Sequence, residues 1–400
     1  MKIQPDSQLR QLKVLMYLYF PGGGIGRYTA RLMPELSALG AHVEAIVVPE
    51  FQWKNLRGYH TWPGLKSISH SNKLRRKARF LTRQFSNPRR LAARVKEVQP
   101  DIVHICSINH LSYPTWEHLF PNDGPRLAVS VHDVQRQKGI LCKPWERWQL
   151  QRFYRRADLL FVHSVQQKQE LMTFADVAEN KIFVVPHGPY EYPQTTESRV
   201  QTRQRIKVPA TANLGLAFGL IRDEKNLDKL VVSLKQTRND THLLIAGSDV
   251  GGHKPLQHYE SLATREGLGD RVHFISGYVP DEDIGNLFNS SDWLALTYSM
   301  SFTSQSGVLS SAVNYDLPVL ATPTPTFAET LNKYQIGVLC SNDCVDAIAA
   351  GIEKLRGLGS EAFQFEAYRK GNSWKHNAAI THVAYQSSCD ELVNDQSSYL

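Results

Sequence analysis

The sequence has 400 residues, a length that suits two domains of about 150–200 residues rather than one core. Its apolar fraction of 42% and charged fraction of 21% are those of a globular protein and exclude a disordered or fibrous chain. No apolar run approaches the ~20 residues that a membrane-spanning helix needs, and the formal net charge is +8.

Short apolar runs alternate with helical patterns along the whole chain. In the first half, the runs that predict strands are 14–20, 42–48, 101–106, 127–132, 158–163 and 181–186. In the second half, they are 214–220, 242–246, 271–275, 293–297, 318–321 and 336–339. Such strands are typical of parallel sheets covered by helices on both faces. The polar stretch 189–198, between the two series, is predicted to link two domains.

The pattern therefore predicts an α/β protein with two doubly wound, Rossmann-like domains that face each other across a cleft. Ligands in this architecture bind at the carboxyl ends of the strands. Residues directly after predicted strands are consequently the candidates for function.

A glycine-rich turn follows the first predicted strand and contains Gly23, Gly24 and Gly26. Glycines let a ligand approach the backbone closely, which suits an acceptor or a phosphate. The spacing is not Gly-x-Gly-x-x-Gly, and no clear acidic residue closes a second strand to hold a ribose. A dinucleotide-dependent oxidoreductase therefore remains an alternative with little support, and a tight turn without a ligand is another.

The positive charge is concentrated in residues 54–96, which contain thirteen Lys and Arg and no acidic residue. Within them, Leu74, Ala78, Leu81 and Phe85 recur at helical spacing. The segment predicts a surface that faces an anionic membrane or an anionic acceptor, and a solvated helix face is the alternative. No recognition helix, zinc motif or RNA-binding motif accompanies the charge, so no nucleic acid is expected.

His132 and Asp133 end a predicted strand in the first half. A histidine there would hydrogen-bond a sugar hydroxyl or assist proton transfer, and a structural hydrogen-bonded role is the alternative. The cysteines are odd in number, scattered and without zinc spacing: Cys106, Cys142, Cys340, Cys344 and Cys389. We interpret them as free thiols in a reducing compartment, and we expect a cytoplasmic protein.

In the second half, Arg222 and Lys225 lie just past a predicted strand. Two exposed cations there would neutralise a diphosphate leaving group without a metal ion. The alternative is a pair of surface cations near Asp223 and Glu224.

Two further loops of the second half are candidates for donor binding. Gly277 and Tyr278 follow a predicted strand, and the backbone there would pair with a nucleotide base. Ser306 and Gly307 open a helix whose free N–H groups suit a diphosphate, although most such loops only cap their helix.

Together these residues resemble the GT-B glycosyltransferases of family GT4, also called glycosyl transferases group 1. The resemblance covers nearly the whole chain and rests on these elements: Gly22 to Gly26, His132-Asp133, Val184-Val-Pro-His-Gly188, Gly219-x-Ile-Arg-x-x-Lys-Asn-Leu-Asp228, Leu244-Ile-Ala-Gly247, Phe274-x-x-Gly-Tyr-Val279, Pro318-Val-Leu-Ala-Thr322 with Glu329, and Ser373-Trp374.

The resemblance implies that residues 200–372 bind a nucleotide-sugar and residues 1–190 bind the acceptor. It implies that a helix within 373–400 crosses back to the first domain, and that Arg222 and Lys225 stabilise the departing diphosphate without metal. The family usually carries Glu-x7-Glu before Pro318, and those positions fall on Thr303 and Ser311. A subset has a Ser-Gly loop in which the backbone N–H groups still take the phosphates, and 305–307 resemble it.

The sequence therefore predicts a retaining transferase that moves a hexose-type sugar from a UDP- or GDP-linked donor to a glycan or lipid-linked acceptor. No cofactor and no metal are expected. The predicted catalytic residues are His132, Arg222 and Lys225. The predicted donor-binding residues are Gly219, Gly277, Tyr278, Thr303, Gln305, Ser306, Gly307 and Ser311. The alternatives are a degenerate nucleotide- or glycan-binding module, the oxidoreductase, and a nucleotide-sugar epimerase of the same fold.

Overall fold

The computed structural model describes residues 11–54, 58–69, 71–107, 111, 124–135, 142–302 and 306–397. Thr303 and Gln305, both predicted to bind the donor, lie outside these residues. The chain divides into two compact units, one of Met1–Pro186 with Trp374–Leu400 and one of His187–Ser373. The stretch 189–198 therefore belongs to the second unit.

The first unit is built on a seven-stranded parallel sheet in the order β3-β2-β1-β4-β5-β6-β7. Its strands are β1 (Lys13–Leu18), β2 (His42–Val47), β3 (Tyr59–Trp62), β4 (Ile102–Ile105), β5 (Arg126–Ser130), β6 (Leu159–Val162) and β7 (Ile182–Val184). The described helices are α1 (Gly23–Ala38), α2 (Lys73–Val98), α3 (Lys143–Arg156), α4 (Val165–Ala175) and, from the far end of the chain, α13 (Trp374–Ser397).

The centre of this sheet is apolar because it is covered on both faces. Val14 on β1 pairs with Val43 on β2 and with Ile102 on β4, and all three side chains are buried. Continuous burial of this kind removes the alternation of a half-exposed strand, as the sequence predicted. The short edge strand β3 was not predicted, although it pairs in parallel with β2.

The last helix, α13, returns to the first unit, and this part of the predicted fold is confirmed. Asn377 donates from its side chain to the Tyr28 hydroxyl on α1 (2.9 Å) and to the Pro186 carbonyl (2.7 Å). Further along α13, the hydroxyl of Tyr385 forms a hydrogen bond with the buried ring of His104 on β4. The helix is therefore held by specific polar contacts as well as by apolar packing.

The second unit is built on a six-stranded parallel sheet in the order β10-β9-β8-β11-β12-β13. Its strands are β8 (Asn213–Phe218), β9 (Thr241–Gly247), β10 (Val272–Ser276), β11 (Trp293–Leu296), β12 (Val319–Ala321) and β13 (Gly337–Leu339). Its helices are α5 (Arg199–Arg205), α6 (Leu227–Ser233), α7 (Leu256–Arg265), α8 (Asp281–Ser290), α9 (Gly307–Ala312), α10 (Pro325–Tyr334), α11 (Val345–Arg356) and α12 (Phe365–Gly371).

A buried arginine fastens α5 to this unit. The guanidinium of Arg203 donates to the carbonyls of Ser290 (2.9 Å), Ala210 (2.7 Å) and Ala212 (2.8 Å). It also donates to the Asp292 carboxylate at 2.7 Å, while only 3% of its side chain is exposed. All three nitrogens of the guanidinium donate hydrogen bonds in these contacts. These bonds compensate for the loss of hydration when the charge is buried.

All five cysteines are free. No described helix has the length and apolar content needed to traverse a lipid bilayer.

Candidate active site

Lys225 lies at the end of a short 3₁₀ helix, Asp223–Lys225, that follows β8. Its side chain is buried, and its ammonium group donates to the Phe218 carbonyl at the end of the strand. The expectation that this side chain is exposed is therefore wrong. The physical reason is that the ammonium group reaches back to the Phe218 carbonyl, which keeps the stem inside the protein.

Burial lowers the pKa of Lys225 to about 7, because the charged form loses its hydration. The guanidinium of Arg222 lowers the pKa further, and the carboxylate of Glu224 opposes both effects. The ammonium group is thus poorly stabilised without a ligand. An anion beside it would restore the charged form.

Gly219 brings the backbone close to this lysine. It has a φ of +95°, and a Cβ atom there would lie 3.6 Å from the Lys225 Nζ and 3.8 Å from the Val308 side chain on α9. Three elements therefore lie next to one another here: the end of β8, the 3₁₀ helix and the first turn of α9. This is the carboxyl edge of the sheet, where ligands bind in doubly wound folds.

Arg222 is more accessible than Lys225, with 45% of its side chain exposed. Its guanidinium lies 3.5 Å from the Glu224 carboxylate, and the Glu224 carbonyl accepts from the Ser299 backbone N–H at 2.7 Å. The expectation of an exposed side chain is met for this residue. Its fork remains available to a ligand because the contact with Glu224 is long.

The start of α9 is shaped by two tyrosines. Ser306 is the N-cap of the helix, and its side chain opposes the effect of burial, which raises the pKa of Tyr298 to about 12. A Cβ atom on Gly307 would lie 2.7 Å from the ring of Tyr190, so only glycine fits beneath that ring. The turn predicted to hold the diphosphate is thus built with little freedom to move.

The other predicted donor-binding residues are placed as follows. Ser311 is buried, and its hydroxyl donates to the Gly307 carbonyl in its own helix (2.8 Å). Gly277 has a φ of +102° directly after β10. Tyr278 is 72% exposed, and its hydroxyl donates to Asp281 at 3.2 Å. An exposed ring beside an open glycine leaves space for a planar base.

In the first unit, His132 follows β5 and contacts His163, which follows β6. The Nδ1 atom of His132 lies 3.3 Å from the Nε2 atom of His163, and the ring of Tyr28 packs edge-on against His132 at 4.9 Å. Burial lowers the pKa of His132 to about 4, which the neighbouring Asp133 carboxylate opposes. The imidazole is therefore neutral near pH 7.

The predicted glycine turn forms the first turn of α1. The helix begins at Gly23, with Gly22 as its N-cap, so Gly24 and Gly26 are already helical. Gly26 is buried, and a Cβ atom there would lie 3.0 Å from the ring of Trp53. Gly26 therefore has a packing role, and Gly23 and Gly24 are the exposed pair.

The chain matches two family models that follow one another along it. Glycosyltransferase Family 4 matches residues 22–189, and Glycosyl transferases group 1 matches residues 198–369. The chain belongs to glycosyltransferase family 4. The family predicted from the motifs is confirmed, and with it the coarse prediction of a glycosyltransferase.

Relatives agree with this family and with the GT-B fold. The lipopolysaccharide glucosyltransferase WaaG of Escherichia coli K12 is 24% identical over 350 residues, covering 81% of this chain and 83% of the relative. Sucrose-phosphate synthase from Thermosynechococcus elongatus superposes with a TM-score of 0.73 at 16% identity, covering 94% and 99% of the two chains. Anabaena HepE, solved with UDP and glucose, superposes with a TM-score of 0.63 at 14% identity, covering 97% of this chain and 100% of HepE.

Sequence reasoning did not single out Tyr190, Tyr298 or His163. Tyr190 lies in the stretch interpreted as a linker, so nothing in the sequence connected it with Gly307. Tyr298 directly follows a strand end, and that position was a signal that it borders the site. His163 also ends a predicted strand, which was the available signal for its contact with His132.

Proposed function

We propose that this protein is a retaining glycosyltransferase that moves a hexose-type sugar from a UDP- or GDP-linked donor to an acceptor hydroxyl. The observation that carries the proposal is the meeting of Lys225, Arg222 and the Gly219 backbone beside the first turn of α9. Two cations beside the start of a helix are suited to a departing diphosphate. The name of the E. coli relative and the UDP and glucose in the Anabaena structure support the same donor class.

In this proposal the donor binds the second unit and the acceptor binds the first. Tyr278 would stack on the base, and the backbone of Ser306 and Gly307 would take phosphate oxygens. His132 would accept a hydrogen bond from the acceptor hydroxyl, because its ring is neutral and follows a strand end. Retention would follow from attack on the face of the sugar from which the diphosphate leaves.

Thermal unfolding with UDP-, GDP- and ADP-sugars tests the donor. A ligand at 100 times its Kd adds about 2.7 kcal/mol to the free energy of unfolding, so the correct nucleotide should give the largest shift. Product analysis by NMR then gives the anomeric configuration. An inverted product, or no shift with any donor, would contradict the proposal.

A second candidate is a degenerate module that binds a nucleotide or glycan without turnover. The observation that favours it is Ser311, which stands where the family usually has glutamate and whose hydroxyl is committed to its own helix. A thermal shift with a donor, but no transfer and no hydrolysis, would favour this candidate. Turnover without an acceptor would instead indicate an epimerase, and binding of a nicotinamide nucleotide would indicate an oxidoreductase.

Donor binding should weaken as the pH rises above about 7. The diphosphate favours the charged form of Lys225, whose pKa in the free protein is lowered to about 7 from 10.5. At pH values between this pKa of about 7 and the higher pKa that Lys225 has in the complex, Kd for the donor should increase up to about tenfold per pH unit. Calorimetric titration at about pH 6, 7.5 and 9 measures this slope. The Lys225→Met variant should bind weakly with a flat profile, and an equally steep profile there would assign the slope to another group.

Activity should survive EDTA, because Arg222 and Lys225 supply the positive charge that a bound metal ion supplies in other transferases. Within the described residues, no three His, Cys, Asp or Glu side chains are grouped as a metal site. Initial rates before and after chelation are the measurement. A rate that is abolished by EDTA and restored by Mg²⁺ or Mn²⁺ would contradict the prediction.

We further propose that α2 contacts an anionic membrane that carries a lipid-linked acceptor, which places the protein at the cytoplasmic face. Three apolar side chains of its first half point into solvent: Leu74 is 78% exposed, Leu81 is 43% and Phe85 is 45%. Arginines and lysines surround them, including Arg75 and Arg76, which are also exposed. Each basic side chain near an anionic surface contributes up to about 1 kcal/mol.

Co-sedimentation with phosphatidylglycerol vesicles should therefore show binding at low salt that is lost at high salt. The double variant Leu74→Ser with Phe85→Ser should bind less, since it removes apolar area from the interface. Val383→Ser is the matched control, because Val383 is an exposed apolar residue on α13. Equal binding to phosphatidylcholine and phosphatidylglycerol vesicles, or none to either, would contradict the proposal and indicate that α2 is a solvated helix face.

A further inference from the structure

His163 connects His132 to the backbone of the next strand. Its Nε2 atom lies 3.3 Å from the Nδ1 atom of His132, and its Nδ1 atom lies 3.3 Å from the carbonyl oxygen of Val185, just after β7. The chain of contacts therefore runs across the carboxyl ends of three neighbouring strands, β5, β6 and β7.

The direction of these hydrogen bonds follows from the carbonyl. A carbonyl oxygen only accepts, so the Nδ1 atom of His163 carries the hydrogen. In a neutral ring the Nε2 atom of His163 is then an acceptor, and the hydrogen between the two rings belongs to Nδ1 of His132. The Nε2 atom of His132 is left with a lone pair.

That Nε2 atom is buried and, among the residues that the structure describes, has no hydrogen-bond partner. An unsatisfied buried acceptor costs free energy, and a hydroxyl group from a ligand would satisfy it. The ring stays neutral because burial dominates its pKa, against the Asp133 carboxylate and the nearby Cys106 carbonyl, which lies outside hydrogen-bond geometry with Nε2. A neutral ring with one free lone pair accepts a hydrogen bond and cannot donate one from that atom.

The pair is also held in place by its neighbours. The side chain of Gln167 accepts from the His163 backbone N–H (2.8 Å) and donates to the His132 carbonyl (3.0 Å). The ring of Tyr28 packs against both histidines, at 4.9 Å and 5.1 Å between ring centroids. Besides Asp133, the titratable groups around His132 are therefore His163, Tyr28 and the buried His104.

We propose that His163 is a positioning residue that holds His132 in the tautomer protonated on Nδ1, so that its Nε2 atom accepts a hydrogen bond from a sugar hydroxyl of the acceptor. This inference rests on the proposed function for the identity of the ligand. It assigns to His163 a role in orienting the acceptor oxygen. The tautomer itself is a property of the free protein.

The first test is the tautomer of His132 in the wild-type protein, measured by ¹⁵N–¹H correlation spectra of ¹⁵N-histidine-labelled protein. The His132→Gln variant identifies the signals of His132 by their loss. We expect hydrogen on Nδ1 and a non-protonated Nε2. Hydrogen on Nε2 would overturn the inference, whether or not the protein transfers any sugar.

The second test replaces the imidazole of His163, whose Nε2 atom accepts the hydrogen bond from His132. In His163→Phe the Nδ1 bond is lost, so the spectra should show a mixture of tautomers, and kcat should fall about ten- to hundredfold with an unchanged KM for the donor. His163→Gln keeps a side-chain carbonyl able to accept from His132, and it should restore most of both properties. His60→Gln, at an exposed histidine of β3, is the matched control.

A tautomer unchanged in His163→Phe would overturn the inference, as would equal losses of kcat in the Phe and Gln variants. If the wild-type protein turns over no donor, the proposed function fails. The spectra still decide the role of His163 in that case, because they need no substrate.

Discussion

Replacing Arg222 with alanine should lower kcat/KM for sugar transfer by about 100-fold or more. The guanidinium is partly exposed and lies beside the buried Lys225, where the departing diphosphate is proposed to gain charge. Loss of one charge-assisted contact to a developing anion typically costs 10²–10³ in rate, or about 3–4 kcal/mol. Because the contact of Arg222 with Glu224 is long and exposed, its loss should cost little, and the variant should unfold at nearly the wild-type temperature.

Lys225→Met should cause a loss of the same size, and it is the better substitution there because methionine fills the buried volume of the lysine stem. Lys235→Ala is the matched control, since Lys235 pairs with Glu266 at a surface position of the same unit. Steady-state kinetics with purified variants gives the comparison. Near wild-type kcat/KM in both Arg222→Ala and Lys225→Met would show that the diphosphate lies elsewhere.

Arg203→Met should have the largest effect on stability, with a loss of about 3–5 kcal/mol in the free energy of unfolding. The substitution leaves the carbonyls that Arg203 bonds without a donor inside the second unit, and it removes a buried partner from Asp292. Breaking one side of a buried charge pair is expensive, since the remaining group stays desolvated.

Arg199→Met is the control for this prediction, because Arg199 pairs with the same Asp292 carboxylate but has 40% of its side chain exposed. It should cost no more than about 1 kcal/mol. Urea titrations followed by tryptophan fluorescence give both values. A similar small loss in the two variants would mean that Arg203 is not a principal anchor of α5.

Every strand predicted from an apolar run is present, because most of these strands are buried along nearly their whole length and their residues are therefore apolar. The run 42–48 became β2 and the run 293–297 became β11, with ends that differ by one residue. The strand β3 carries no such signal. It is a four-residue edge strand that lies between Gly58 and Pro63, and His60 on it is exposed. Its pairing depends on β2 and could not be read from its own residues.

The sequence predicted which residues of the candidate site directly follow strands. It did not predict the burial and the contacts of their side chains. The position of Lys225 after β8 was predicted, and its burial was not, because the burial depends on a contact with the Phe218 carbonyl that only the folded turn provides. The interaction of His132 with His163 joins residues 31 positions apart on neighbouring strands. Strand order, which short sequence motifs do not encode, brings them together.

The return of α13 to the first unit affects how the protein is made. On a ribosome that adds about 5–20 residues per second, synthesis of His187–Ser373 separates Pro186 from Trp374 by roughly 10 to 40 seconds. During that delay the nascent first unit has no Asn377 for Tyr28 and no Tyr385 for His104. The face that α13 later covers is then open to a chaperone or to another nascent chain. The second unit, which is continuous in sequence, can finish folding first.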